Sequence, residues 1–127
     1  MMELTEAQLS ERMAERIAKT HHYCASQDVA LAIAQAKLAH AIVDEVIDAL
    51  RPGMRESEGQ QFAMQCFARH GIERLWHPPY VRFGVHSLLT FQEKAKEDLV
   101  LQANDIAFVD LGIVKDGIEG DAGRTVA

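Results

Sequence analysis

Two carboxylates, Asp110 and Asp121, are the residues whose types and spacing could do chemistry in this sequence. Asp110 lies inside the apolar run IAFVDLGIV at 106–114, where burying a charge is costly unless a cation or strong donors meet it. The segment KDG at 115–117 predicts a hairpin turn, which brings the two aspartates to neighbouring strands, within several residues of direct opposition. Converging carboxylates suit a divalent cation. The alternative is that Asp110 accepts bonds from Arg124 or backbone amides while Asp121 caps a turn.

The histidines give a weaker signal than the aspartates. His77 precedes Pro78-Pro79 and is a candidate pocket residue, and His86 follows a short predicted strand. The pair at 21–22 is typical of an exposed helix break. The sequence contains no GxSxG, P-loop, HExxH or GxGxxG pattern.

The front of the chain is predicted to be helical. Apolar residues recur every four positions and predict an amphipathic helix over 5–19, which HHYCAS at 21–26 interrupts. Ser26 is a predicted N-cap for a long helix that reaches Leu50 and stops at RPG, 51–53. Ser57 is predicted to cap a third helix over 57–69, which Gly71 ends.

The back of the chain is predicted to be rich in strands. Two prolines make 76–80 a rigid extended or turn segment, and alternation predicts a short strand over 81–85. The charged stretch 92–98 is a predicted solvated loop or helical turn. A buried strand over 106–111, the turn at 115–117 and a return strand over 120–125 follow.

Composition places the chain among ordinary globular domains and excludes two classes of partner. Its 127 residues suit one domain, with 1–25 as an N-terminal helix and break. A net charge of −6 argues against nucleic acid and against an anionic membrane. No apolar run approaches the roughly 20 residues of a membrane span. Cys24 and Cys66 are isolated, so we expect a reducing, cytoplasmic setting.

A longer pattern resembles a known family. The segments RPGMRESE, HGIE, WHPPYVRFGVH and LVLQANDIAFVDLGIVKDGIEGDAGRT resemble the first half of a pita-bread metallopeptidase, the family of methionine aminopeptidase, Xaa-Pro aminopeptidase, prolidase and creatinase. The resemblance covers residues 28–126, and its specific core is VDLG…DG…GD.GRT. It implies an α/β (α+β) half-fold over 26–127, with long helices packed on one face of a small, mostly antiparallel sheet.

The resemblance also implies roles for individual residues. Asp110 and Asp121 match two aspartate ligands of a centre that, with a later histidine and two later glutamates, holds two divalent metals (Mn, Co, Fe or Zn) for hydrolysis. Arg124 and Thr125 match supporting residues beside the ligands. His86 and His77 are candidate substrate-binding residues. No residue of the printed sequence is assigned a catalytic role beyond metal binding.

Two departures from the family pattern shape the functional expectation. Phe91 falls where Xaa-Pro peptidases carry a substrate-binding histidine, and the printed sequence ends before the later ligands. We therefore expect a portion of a metal-dependent aminopeptidase or Xaa-Pro peptidase that acts on peptides, binds metal weakly or not at all alone, and is inactive in isolation. We also expect an open sheet that self-associates or pairs with a C-terminal half. The alternatives are a non-catalytic protein-binding module and a creatinase-like amide or amidine hydrolase.

Overall fold

The computed structural model describes residues 5–23 and 27–127, and side chains for 5–15 and 29–127. Contacts divide the chain into one unit up to Leu31 and another over Ala32–Ala127. Helix α1, Glu6–Tyr23, runs past the break predicted at residue 21. The predicted cap at Ser26 lies outside the described residues. In the described part, no helix has the length and apolar character needed to cross a bilayer.

Helix α2, Gln27–Ala49, ends where the sequence predicts. Pro52 cannot continue the helical ladder, and Gly53 adopts a left-handed conformation with φ of 95°. Ile42 and Val46 in the second half of the helix, and Leu50 directly after it, are buried in the core.

Helix α3, Glu56–Arg69, begins one residue earlier than predicted, and the N-cap assigned to Ser57 was wrong. Arg55 holds the cap position instead. Asp98, from the distant charged loop, accepts hydrogen bonds from the Ser57 amide at 3.0 Å and the Ser57 hydroxyl at 2.6 Å. A carboxylate at this end of a helix satisfies a free amide and complements the helix dipole. These two bonds lower the pKa of Asp98.

Three antiparallel strands form one sheet in the order β1-β2-β3, with β1 at Arg74–Phe83, β2 at Ala107–Lys115 and β3 at Ile118–Val126. The predicted turn is confirmed: Asp116 and Gly117 have φ of 53° and 73°, which is the type I′ hairpin pattern. Strand β1 starts before the predicted 81–85 and ends at Phe83, and a 3-10 helix over Gly84–Leu88 leaves Val85 exposed.

The register of β1 against β2 shifts around the two prolines, and this shift determines which face of the sheet His77 and Tyr80 occupy. His77 lies opposite Gly112 and Tyr80 lies opposite Asp110. Three positions on β1 therefore span two on β2, because proline has no N–H to donate and a bulge forms. Residues directly opposite each other share a face of a sheet, so the bulge puts His77 and Tyr80 on the face that carries Asp110.

The two faces of the sheet have different environments. One face packs on α3 and on the part of α2 after Leu31, and Gly120 allows the carbonyl oxygen of Gln35 to come within 2.5 Å of where its Cβ would lie. We call this the core face, and the one with Asp110 the site face. The α+β half-fold with helices on one face is thus confirmed. The buried strand residues of the core face are Val81, Phe83, Ala107, Val109, Leu111, Ile113 and Ala122.

Candidate metal centre

Asp110 and Asp121 meet on the site face, as the hairpin predicts. Asp110 lies opposite Gly123, and Asp121 lies opposite Gly112. This offset of two residues makes the aspartates diagonal neighbours on one face, which long enough side chains can bridge. Single ligand atoms of Asp110, Asp121 and His77 all lie within 4.8 Å of one another.

His77 has a defined orientation in this cluster. Its Nδ1 lies 2.7 Å from the carbonyl oxygen of Pro78, and its Nε2 lies 3.4 Å from Asp121 Oδ1 and 3.9 Å from Asp110 Oδ1. Tyr80 stacks on the ring at 5.5 Å between centroids, and Trp76 meets it edge-on at 4.5 Å. The side chain is 14% exposed. The imidazole is therefore fixed by packing, with one nitrogen facing both carboxylates.

Gly112 makes this arrangement sterically possible. A Cβ at position 112 would collide with the Trp76 indole nitrogen and would lie 2.7 Å from Cδ2 of His77. The missing side chain lets both rings lie against β2. Gly123 is less constrained, since a Cβ there would make ordinary contacts at 3.4 Å or more.

The electrostatics of the cluster favour a cation. Burial raises the pKa of the Asp110 carboxyl above its ordinary value, His77 opposes this effect, and the Asp121 charge adds to it. Burial and a nearby like charge both disfavour the ionised form. In the described part of the chain, no backbone amide donates to either carboxylate. A divalent ion would relieve both penalties, and the donor set of two carboxylates and one imidazole fits a first-row metal.

Arg124 does not neutralise Asp110. It lies opposite Val109 on the core face, and its Nη1 is 2.9 Å from Asp44 Oδ1 on α2. The alternative in which Arg124 holds Asp110 was therefore wrong, and any support it gives the site is not by contact with that carboxylate. Thr125 lies opposite Phe108, on the site face but further along β3.

The structure places His86 away from the two aspartates. Its Nδ1 lies 2.8 Å from Glu56 Oε1, and its side chain is 12% exposed. The same Glu56 carboxylate accepts bonds from the amides of Phe83 at 2.7 Å and Leu99 at 3.2 Å. A substrate contact by His86 stays a prediction. Sequence reasoning did not find Glu56, since nothing local distinguishes a buried glutamate from an exposed one in the first turn of a helix.

A small pocket opens over the cluster. It has a volume of about 210 Å³ and is lined by Trp76, His77, Tyr80, Phe91, Asp110 and Asp121. A larger, more open cavity of about 670 Å³ lies beside it under loop 91–98 and shares Tyr80 and Phe91 with it. Arg82 anchors this loop by donating to the carbonyl oxygens of Leu89, Thr90 and Glu93 at 2.8 to 3.1 Å. The apolar wall at Phe91 and the carboxylates thus line one site.

Solved structures with the same fold include aminopeptidase P and X-Pro aminopeptidase. A variant of Escherichia coli aminopeptidase P superposes with a TM-score of 0.69 at 19% identity, covering 80% of this chain and 22% of that one. Proline aminopeptidase P II from Yersinia pestis gives 0.69 at 21%, over 80% and 23%. X-Pro aminopeptidase from Thermotoga maritima gives 0.63 at 22%, over 73% and 26%. The chain thus spans about a quarter of their length or less.

Comparison with curated protein sequences found no match. The sequence model of metallopeptidase family M24 matches residues 30–127, which include all of the site-face residues described above. With two aspartates and a histidine converging on the site face, and with this match over most of its length, the chain belongs to metallopeptidase family M24.

Proposed function

We propose that this chain forms the first half of the catalytic domain of a metal-dependent aminopeptidase that cleaves at the N-terminus of short peptides, with Xaa-Pro peptides as the substrate class. A metallopeptidase-type function follows from family membership. The observation that carries the finer proposal is the convergence of Asp110, Asp121 and His77 in a pocket with aromatic walls. A divalent cation held there would supply Lewis-acid chemistry for attack of water on a peptide carbonyl.

The chain's own residues would bind and orient the peptide. Asp110 and Asp121 supply oxygen ligands, and their negative charge attracts the ammonium group of a free N-terminus. Trp76 and Phe91 are 47% and 72% exposed, so their faces are free to contact an apolar side chain or a proline ring.

The proposal includes two metal ions of the Mn, Co, Fe or Zn class when the remaining family ligands are supplied, and little or no turnover by the isolated chain. It also includes a cytoplasmic setting, which the buried free thiol of Cys66 supports.

We further propose that the site face is covered by a second half of the fold or by another copy. Trp76 and Phe91 line the pocket on this face with exposed apolar side chains, and among the described residues β1 and β3 are the two edge strands of the sheet. Sedimentation velocity over a range of concentrations should show self-association of the purified chain. A single monomeric species at high concentration counts against this part of the proposal.

The activity test uses both the isolated chain and the natural protein purified from its source cells. We expect the natural protein to hydrolyse an Ala-Pro dipeptide with Mn²⁺ or Co²⁺, and a chelator to abolish this activity. The 127-residue chain alone should show no turnover. Creatine in the same assay tests the amidine-hydrolase alternative. A natural protein that is inactive on the dipeptide at every metal concentration rules out the proposed substrate class.

Phe91 favours a second candidate function, a non-catalytic binding module. It is an exposed apolar side chain in the pocket wall, and a phenylalanine cannot exchange a proton with a substrate. A module of this class would bind peptides with no dependence on metal. Fluorescence titration of Trp76 with a proline-containing peptide, with and without chelator, separates the two functions.

A further inference from the structure

The two nitrogens of His77 have different partners, and this determines what the ring can do. A carbonyl oxygen can only accept, so the 2.7 Å contact with Pro78 requires the hydrogen on Nδ1. In the neutral ring, Nε2 then carries a lone pair that faces Asp110 and Asp121. Three electron-rich atoms pointing at one spot repel one another unless something positive lies between them.

The distances fit a shared cation better than a direct hydrogen bond. Charge-assisted N–H···O bonds are typically about 2.7–2.9 Å long, whereas Nε2 lies 3.4 Å and 3.9 Å from its two carboxylate oxygens. Ligand atoms at about 2.0–2.2 Å from one metal are separated by roughly 3.0 to 3.5 Å. The separation of Nε2 from Asp121 lies within this range, the 3.9 Å separation from Asp110 lies above it, and all three ligand atoms lie within 4.8 Å of one another. Small side-chain shifts would bring the set around one ion.

The surroundings of His77 match those of a preorganised metal ligand. Metal-binding histidines commonly donate their other N–H to a backbone carbonyl or carboxylate, which fixes the tautomer and the ring orientation. Here Pro78 accepts that bond, Tyr80 stacks on the ring, and Gly112 provides the space behind it. Little reorganisation would be needed for Nε2 to bind an ion.

We propose that His77 is a metal ligand, so that Nε2 of His77 and the carboxylates of Asp110 and Asp121 form a three-ligand site for one divalent transition-metal ion within this chain alone. The inference rests on the proposed metal centre and adds a nitrogen ligand from β1 to its two aspartates. It replaces the expectation that the isolated chain binds metal weakly or not at all. Because imidazole suits Zn, Co and Fe while Mg and Ca prefer oxygen, the site should select transition metals.

The test is a titration of the full chain with Co²⁺, in which binding is measured by calorimetry and by visible absorption. We expect one ion per chain, with Mg²⁺ unable to compete at equal concentration. H77Q should weaken Co²⁺ binding by about 10- to 100-fold or more. His40→Gln, an exposed histidine on α2, is the matched control and should leave affinity unchanged. Circular dichroism and urea unfolding check that each variant is folded.

A spectroscopic measurement tests direct ligation. With Mn²⁺ bound, pulsed electron paramagnetic resonance should show coupling to one imidazole nitrogen, and H77Q should remove it. Retention of that coupling in H77Q would overturn the inference, as would an affinity within twofold of the parent. Tighter binding by H77Q would also overturn it, because this would mean that His77 competes with the metal for the carboxylates.

The aspartate variants separate failure of this inference from failure of the proposed function. If D110N and D121N lose metal while H77Q keeps it, His77 is not a ligand and the proposed aspartate centre stands. If the parent chain and the natural protein both bind no transition metal, the inference and the proposed function fail together.

Discussion

Two histidine–carboxylate pairs on β1 and the segment that follows it have the same chemistry and different uses. In the first, Glu56 is buried and bonded to His86, and the amides of Phe83 and Leu99 complete its hydrogen bonding. In the second, His77 faces Asp121 and Asp110 across longer gaps, and in the described part of the chain no backbone amide reaches either aspartate. A carboxylate with satisfied lone pairs holds the fold together, whereas one with free lone pairs is available to a ligand.

The largest effect is expected from breaking the buried pair. Glu56→Ala removes the acceptor for the buried amide of Phe83 and for the half-buried Leu99 amide and His86 ring. We expect the free energy of unfolding to fall by about 3–5 kcal/mol, measured by urea denaturation. Glu58→Gln, two residues further along α3 and exposed, is the control. It keeps an acceptor oxygen for the Arg55 amide and should cost less than about 1 kcal/mol. A loss below about 1 kcal/mol for Glu56→Ala would mean that the first pair is not structural.

Breaking the second pair, in which His77 faces the aspartates, should weaken metal binding and leave the fold intact. Asp121→Asn keeps the shape of the side chain and removes its charge, so Co²⁺ affinity should fall by about 100-fold, or about 2.7 kcal/mol. The urea midpoint of the metal-free chain should change little, because Asp121 is exposed. Asp48→Asn on the exposed surface of α2 serves as the charge-matched control. A destabilised Asp121→Asn chain would remove the contrast between the pairs.

A substitution at Gly112 tests whether metal binding depends on the position of the His77 ring against β2. In Gly112→Ala the new methyl group collides with the rings of Trp76 and His77, which must shift by a few tenths of an ångström or more. We expect about a 3- to 10-fold loss of Co²⁺ affinity, with a destabilisation of roughly 1–2 kcal/mol. Gly123→Ala, whose methyl group would make ordinary contacts that include Asp110 Oδ1 at 3.5 Å, is the control for adding a methyl group to this face without displacing the rings. Equal Co²⁺ affinities for the two variants would show that metal binding does not depend on the position of the His77 ring.

A third pair, Glu45 with His70 at 2.8 Å, should give the smallest effect. The hydrogen bond from His70 lowers the pKa of Glu45 from its ordinary 4.5, partly opposed by burial. A depressed folded-state pKa contributes stability above the unfolded value and loses it as pH falls through the folded one. Unfolding free energy should therefore decline below about pH 4.5. Glu45→Gln should flatten that decline by less than about 1 kcal/mol, and Asp48→Asn should retain it.

Local patterns in the sequence predict the helices and strands well. They do not predict contacts between segments that are distant in the chain. The hairpin at Asp116-Gly117 and the stop at Pro52 follow from residues within two or three positions. Asp98, which accepts the hydrogen bond of a first-turn amide of α3, is 41 residues from its donor Ser57. That contact depends on how the loop folds back, which no local pattern encodes.

The candidate site follows the same division. Asp110 and Asp121 could be predicted because a short turn relates them, and the family pattern marks both. The position of His77 depends on the register shift at Pro78-Pro79 against β2. The sequence predicts a rigid segment there but not which face its flanking residues occupy.

The way in which Arg82 anchors the loop has a consequence for how the site can evolve. Its guanidinium group donates to main-chain carbonyls of residues 89, 90 and 93, and every amino acid supplies such an oxygen. The side chain at position 91 can therefore be exchanged by mutation without releasing the loop from the pocket. The chemistry of the pocket wall and the anchoring of the loop can thus change independently, and single substitutions at position 91 can exchange an aromatic residue for one that exchanges protons.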